Sequence, residues 1–270
     1  MGFVQEMGAT SFSTCTSSTM VLPAMSIGNV GQLAVDLLVS STSAVRIGYL
    51  DDPHVLPCVG NNAYSPDPPG SIALPLEVYD SPVGITLIQQ RSPVVKGMMI
   101  DFARNLAEFA ITSGKKHVVI LSSIDFGRWK NINTTSVMQV CYLSSSNPDA
   151  TDTHCEQMGW KRLQEYNPDQ KAWNYLNDDN SFPYDDELDE EDYIPSLPFA
   201  ALFSCFKAKG LKVTCLLCYC SEGDNTGHAF HLAEAVSSLE GVNFGAEGLK
   251  WCMPYSWKTV YGTPPDMTLF

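Results

Sequence analysis

The stretch KHVVILSS, residues 116–123, carries a continuous apolar run between turn signals. A strand of that kind has no face to give to water, so it belongs in the centre of a sheet covered on both sides. TMVLPAM (19–25) and LKVTCLLCYC (211–220) read as buried strands too. Cover on both faces requires helices, and the sequence places them between the strands. NVGQLAVDLLVSS (29–41) has Leu33, Leu37 and Leu38 at helical spacing, with Asn29 in position to cap it. AVRIGYL (44–50) is the next strand, so the chain opens β-α-β, the unit that builds parallel sheets.

The pattern continues. IALPLEVY (72–79) and GITLIQQ (84–90) read as a hairpin joined at Asp80-Ser81-Pro82. Residues 95–112 form the clearest helix, with Met98, Phe102, Leu106 and Phe109 on one stripe and Gly114 as the stop. SVMQVCYL (136–143) is a further strand and HCEQMGWKRL (154–163) a short helix. FAALFSCFKAKG (199–210) is helical, and residues 224–241 are a helix capped by Asp224 or Asn225 and closed by Gly241. The expected fold is a single three-layer α/β/α domain with a mixed, largely parallel sheet. It spans 19–261, after a flexible lead (1–18) and before a C-terminal tail (262–270).

At 270 residues and a net charge of −14, with only 16 scattered Lys and Arg, the chain is a poor partner for nucleic acid. Most of that acidity is local. Nine acids and no base occupy DDNSFPYDDELDEED (178–192), which reads as a solvated insert without the glycine and spacing of an EF-hand. The cysteines number nine, an odd count set mostly in apolar runs, which fits buried thiols better than a disulfide framework. No run of about 18 apolar residues offers a membrane span, and the start has neither a signal peptide nor a myristoylation pattern. The expected setting is the cytoplasm and nucleus.

Candidate sites are few. Gly28 and Gly31 lie at a strand-to-helix junction whose amides would suit a phosphate, yet no G-x-G-x-x-G or P-loop pattern is present. Cys215, Cys218 and Cys220 with His228 and His231 suggest zinc, but strand alternation sends Cys215 and Cys218 to opposite faces. Ser221, Glu222, Asp224 and His228 follow a strand's carboxyl end, as does Ser122-Ser123, where α/β enzymes place their chemistry. The G-x-S-x-G elbow is missing. His54 and His117 each read as standing alone. The chain therefore has the scaffold of an enzyme without a set of catalytic groups, cofactor ligands or metal ligands, and the balance moves to a protein whose product is an interface.

VLPAMSIGNVGQLAVDLL, RIGYL, CVGNNAY, LEVYD, LIQQRSP, VVILSS, SEGDN and the closing GTPPDMTLF, in this order, resemble the proteasome assembly chaperone 2 family. The resemblance runs from about Met20 to the end, leaving out the lead and the acidic insert. It implies a phosphorylase/hydrolase-like α/β/α fold and no enzymatic activity. It also implies a heterodimer with proteasome assembly chaperone 1 that binds 20S alpha subunits, promotes alpha-ring formation and blocks alpha-ring dimers. The alternative is a phosphorylase- or hydrolase-like enzyme using the Gly28–Gly31 turn and the Ser221–Asp224 strand end.

Proteasome-docking tails of the hydrophobic-Tyr-X kind pair a free carboxylate with a basic pocket and bury the apolar residues before it. By resemblance the docking residues here are Met267, Thr268, Leu269 and Phe270. Leu269 stands at the tyrosine position and Thr268 at the hydrophobic one, so a single tail is expected to bind modestly and to rely on the second tail of a heterodimer.

Overall fold

The computed structural model describes residues 1–8, 17–65, 72–125, 139–145, 150–165, 196–244 and 248–259. The acidic insert and the docking tail lie outside the described residues.

Along the chain come β1 (Gly2–Gln5), β2 (Thr19–Pro23), a 3-10 turn (Ile27–Asn29), α1 (Val30–Ser41) and β3 (Val45–Asp51). The short pair β4 (Gly60–Asn61) and β5 (Ile72–Ala73) precedes β6 (Leu76–Asp80), β7 (Ile85–Gln90) and α2 (Met99–Thr112). Then follow β8 (His117–Asp125), β9 (Val140–Ser144), α3 (Ala150–Gln157) and β10 (Lys161–Arg162). The last elements are α4 (Pro198–Ala208), β11 (Lys212–Cys220), α5 (Thr226–Glu240) and a 3-10 turn (Tyr255–Thr259).

One sheet carries nine of these strands in the order β1-β3-β6-β7-β2-β8-β11-β9-β10. Its centre, β7-β2-β8-β11, is parallel throughout. The β1-β3-β6-β7 flank is antiparallel, and β9 runs antiparallel to β11. The apolar central runs split between two cores by simple alternation. Val118, Ile120, Cys215 and Leu217 join Phe102 and Leu106 of α2 and Phe199, Phe203 and Phe206 of α4. Val119, Leu121, Leu216 and Cys218 join Val35 and Leu38 of α1 and Leu232 and Val236 of α5. Helices therefore cover both faces, α2 with α4 on one and α1 with α5 on the other, giving the expected three layers.

Several boundaries differ from the sequence reading. Gly97, at φ +86°, keeps residues 95–98 out of α2, which begins at Met99. Its end is as expected: Gly114 takes φ +72° and donates its N–H to Ile111 O at 2.9 Å. The strand expected over 72–79 is broken between β5 and β6 at Leu74-Pro75, where proline lacks a ladder donor. The helix expected over 154–163 lies earlier, at Ala150–Gln157, because Gly159 turns left-handed and Lys161–Arg162 pair with β9. Asn29 is itself left-handed (φ 51°) and makes no side-chain cap.

The lead expected to be flexible contains β1, which adds antiparallel to β3 from Gly2 opposite Asp51 to Gln5 opposite Gly48. Four residues carry too little periodicity to announce a strand. What fixes it is tertiary: Phe3 stacks on Phe109 at 6.3 Å, and Gly48 lets it approach. A Cβ on Gly48 would lie 2.4 Å from Val4 O and 2.7 Å from the Phe3 ring.

Phe203 is 1% exposed in the α2/α4 core. Phe203→Ala is expected to lower unfolding free energy by about 3–5 kcal/mol in urea titration, through lost transfer energy and the cavity left behind.

Candidate functional site

Strands β2, β8 and β11 end side by side, and the segments that follow them meet above the sheet. Ser26 Oγ accepts from Ser123 N at 3.1 Å, and Ser123 Oγ lies 2.6 Å from Ile27 O. The Cys220 thiol reaches the same carbonyl at 3.5 Å. Burial pushes that thiol up, and burial alone pushes Cys215 well up, so both remain protonated sulfurs of the core.

The two loops singled out by sequence do come together here. A Cβ on Gly28 (φ +65°) would sit 2.2 Å from Asn225 Nδ2, and one on Gly31 would sit 2.4 Å from Leu121 O. Both glycines are thus required by close packing of the start of α1 against β8 and the 221–225 loop. Asn225 Nδ2 donates to Ser221 O (2.9 Å) and Gly223 O (3.2 Å). Asp224 Oδ1 accepts from Thr226 N (3.0 Å) and Thr226 Oγ1 (2.6 Å), an Asx turn onto the first N–H of α5, while the N-cap residue Asn225 makes no side-chain cap. Ser221 and Glu222 are exposed beside it. Chemically, these polar groups tie loops to backbone: a Ser123, Asn225 and Asp224 brace.

Cys215 and Cys218 face the two different cores, and the described residues hold no group of three or more His, Cys, Asp and Glu placed for a metal ion. His231 Nδ1 lies 3.6 Å from Glu234 on its own helix. The two histidines read as solitary have partners. His54 Nδ1 is 3.1 Å from Asp52 Oδ1, whose Oδ2 accepts from Asn105 of α2 at 2.8 Å. His117 bridges Glu240 at 3.2 Å and Thr214 Oγ1 at 3.0 Å. Burial would raise the Glu240 carboxyl, but His117, Thr19 and Lys212 together hold it below the usual range.

The strongest polar cluster escaped the sequence reading. Glu77, 1% exposed on β6, accepts from Arg46 Nη1 and Arg91 Nε, each at 2.7 Å. Arg91 Nη2 is 3.0 Å from Asp36 of α1, to which the Tyr64 hydroxyl and Gln89 Nε2 also donate, each at 2.6 Å. Arg46 extends the chain to Glu6 through paired bonds of 2.7 and 2.8 Å. Burial opposes the charge on Arg91, but Asp36 and Glu77 outweigh it and hold the guanidinium ionised. Burial pushes the Tyr64 phenol well up, so it acts as a neutral donor. The available signal was Asp36 itself, a carboxylate inside the apolar helix AVDLL, which demands a partner when buried.

The chain after α5 returns over α1. Cys252 N donates to Ser41 Oγ at 2.9 Å and Ser256 N to Ala63 O at 2.9 Å. Trp251 stacks on Phe244 at 3.9 Å, and Trp251 and Trp257 pack on the α1/α5 core. The chain is therefore anchored as far as Trp257. No helix among the described residues is long and apolar enough to cross a membrane.

The sequence profile of the PAC2 family matches residues 20–251. Proteasome assembly chaperone 2 of Danio rerio is 28% identical over 260 residues, covering 93% of this chain and 94% of its own. The protein of the same name from Nematostella vectensis is 35% identical over 230 residues, covering 79% and 85%. Among solved structures, Pyrococcus furiosus PbaA, described as an archaeal homolog of proteasome-assembly chaperone, superposes with a TM-score of 0.59. It is 18% identical, and the match covers 86% of this chain and 85% of PbaA. That likeness shows a common fold.

Arg91→Met leaves Asp36 and Glu77 without their shared cation. The expected loss is about 3–5 kcal/mol of stability, read by urea unfolding at neutral pH. Arg91→Met with Asp36→Asn, which leaves Glu77 to Arg46, should recover part of it, and a double variant no better than the single one would refute an uncompensated-charge origin.

Proposed function

The chain belongs to the PAC2 family, and from that premise we propose that it is a non-enzymatic chaperone of 20S proteasome assembly. The observation that carries the reading is the match, over nearly the whole chain, to relatives named proteasome assembly chaperone 2. The strand-end site agrees with it, because Ser123, Asn225 and Asp224 hold backbone together. In this reading the chain forms a heterodimer with proteasome assembly chaperone 1, in the cytoplasm and nucleus. The pair binds alpha subunits, favours alpha-ring formation and prevents alpha-ring dimerisation.

Met267, Thr268, Leu269 and Phe270 supply the docking tail. Leu269 and Phe270 bring apolar area and the terminal carboxylate brings charge; the tyrosine ring and hydroxyl are replaced. Ser256 and Trp257, a few residues before the tail, are held to Ala63 and the α1/α5 core, so the tail follows an anchored segment of the chain.

A phosphorylase- or hydrolase-like enzyme is the second reading, favoured by the meeting of the Gly28 turn with the 221–225 loop. Thermal stabilisation by a nucleoside, phosphate or ester, lost in Asp224→Ala, would promote it.

Co-expression with proteasome assembly chaperone 1 is expected to give a 1:1 complex by size-exclusion chromatography with light scattering. Deleting Thr268–Phe270 is expected to leave that complex intact and to weaken its binding to isolated alpha rings. A stable monomer indifferent to the second chaperone would overturn the heterodimer, and unchanged alpha-ring affinity would remove the tail from the mechanism.

A further inference from the structure

Strands β2 and β7 run parallel, and a cavity of about 260 Å³ lies between the segments that follow them and the helices α2 and α4. Val94, Val95, Met99 and Leu202 give it an apolar wall, and Gln90 and Lys96 border it as well. Open α/β sheets bind ligands in this position, outside the carboxyl ends of their parallel strands. The volume lies below the range typical of drug-sized ligands, so the fitting occupant is of about amino-acid size.

Gln90 sets one requirement on that occupant. It is the last residue of β7, on the same face of the sheet as Ile88, which belongs to the α2/α4 core. The residue is 4% exposed, and its remaining surface borders the cavity. Its Nε2 donates to Ser92 O at 2.9 Å, and its backbone N–H donates to Gln89 Oε1 at 3.0 Å. Its own Oε1 has no partner among the described residues and, unlike Gln32 Oε1, is not sealed from solvent. An amide oxygen so deeply placed is costly to leave unpaired, and an N–H held in the cavity would satisfy it.

Lys96 sets the other. It sits in a turn closed by Met98 N to Val95 O at 3.0 Å, with Gly97 left-handed at φ +86°. Val95 N donates in turn to His54 O at 2.7 Å, so the backbone that carries the lysine is fixed. The side chain is exposed beside the cavity, and its ammonium has no partner among the described residues. A carboxylate brought there gains a charge-assisted hydrogen bond.

We propose that this cavity binds an N-acylated apolar amino acid through its free carboxylate. The acyl-amide N–H donates to Gln90 Oε1, the carboxylate meets Lys96, and the side chain lies against Val94, Val95, Met99 and Leu202. An acylated amino acid in solution and the carboxyl terminus of another protein share this chemistry. The site is independent of the chaperone reading and needs no catalysis.

The test is isothermal titration of the full-length chain with N-acetyl-leucine and three compounds that each lack one feature. These are 4-methylpentanoate without the amide, N-acetyl-leucinamide without the charge and N-acetylglycine without the side chain. N-acetyl-leucine is expected to bind saturably, and each of the three about tenfold more weakly. Lys96→Gln, a change at an exposed residue, should lower N-acetyl-leucine to the level of its amide, with the amide's affinity and the melting temperature unchanged. Gln90→Met should erase the advantage over 4-methylpentanoate; it also takes the donor from Ser92 O, so the Lys96→Gln arm is the one that stands apart from folding. No saturable binding of N-acetyl-leucine, equal affinity for 4-methylpentanoate, or wild-type affinity in Lys96→Gln would overturn the proposal. The peptide acetyl-Ala-Ala-Leu distinguishes the sources: affinity matching N-acetyl-leucine assigns the site to a protein's carboxyl terminus, and much weaker affinity assigns it to a free acylated amino acid.

Discussion

Glu77 stands, almost without solvent, between two arginines at the seam where the sheet changes from parallel to antiparallel. Its strand, β6, pairs antiparallel with β7, which in turn is parallel to β2. Arg91 leaves the end of β7 and reaches Asp36 on α1 at 3.0 Å, so one guanidinium joins flank, centre and covering helix. Arg46 on β3 carries the connection outward to Glu6 beside β1. Ionised groups this buried are tolerated only when each is met by an opposite charge and hydrogen bonds. Asp36 meets that condition with Arg91, Tyr64 and Gln89. The network fixes how half the sheet sits against α1, and it leaves little freedom to lose a single member.

The phrases that carry the family resemblance gain a physical meaning from this geometry. GNVGQLAVD contributes Asp36, RIGYL Arg46, CVGNNAY Tyr64, LEVYD Glu77 and LIQQRSP Arg91, all in the one network. VVILSS and SEGDN contribute Ser123 and Asn225, which close the junction over Ile27 and Gly28. These residue types look like chemistry when read along the chain, because acids, bases and hydroxyls are the vocabulary of active sites. In space they build rigidity at the two places where an α/β domain is weakest: the change of strand direction and the loops above the parallel strands.

The fold was legible wherever burial imposes a periodicity. VVIL and VTCLLCYC announced strands covered on both faces, and Phe102, Leu106 and Phe109 announced the α2 stripe; each lies where it was placed. The helix stops at Gly114 and Gly241 were legible for the same local reason, since the left-handed turn needs no distant partner. β1 was not, because four residues bear no period and their pairing depends on Gly48 and Phe109, over 40 positions away. The polar network was hidden likewise. Glu77 and Asp36 are separated by a β-strand, loops and a hairpin, and only sheet order makes them share Arg91.

By itself, the sequence determined the layers, the two cores and the absence of a familiar catalytic spacing, because apolar periodicity and turn chemistry act over a few residues. Only the tertiary structure decided what the polar residues are for. It paired His54 with Asp52 and His117 with Glu240, and set Asn225 against Gly28. The physical reason is range: hydrophobic burial is read from a strand's or helix's own pattern, whereas a hydrogen bond or ion pair is defined by two atoms within about 3 Å, wherever the chain has carried them.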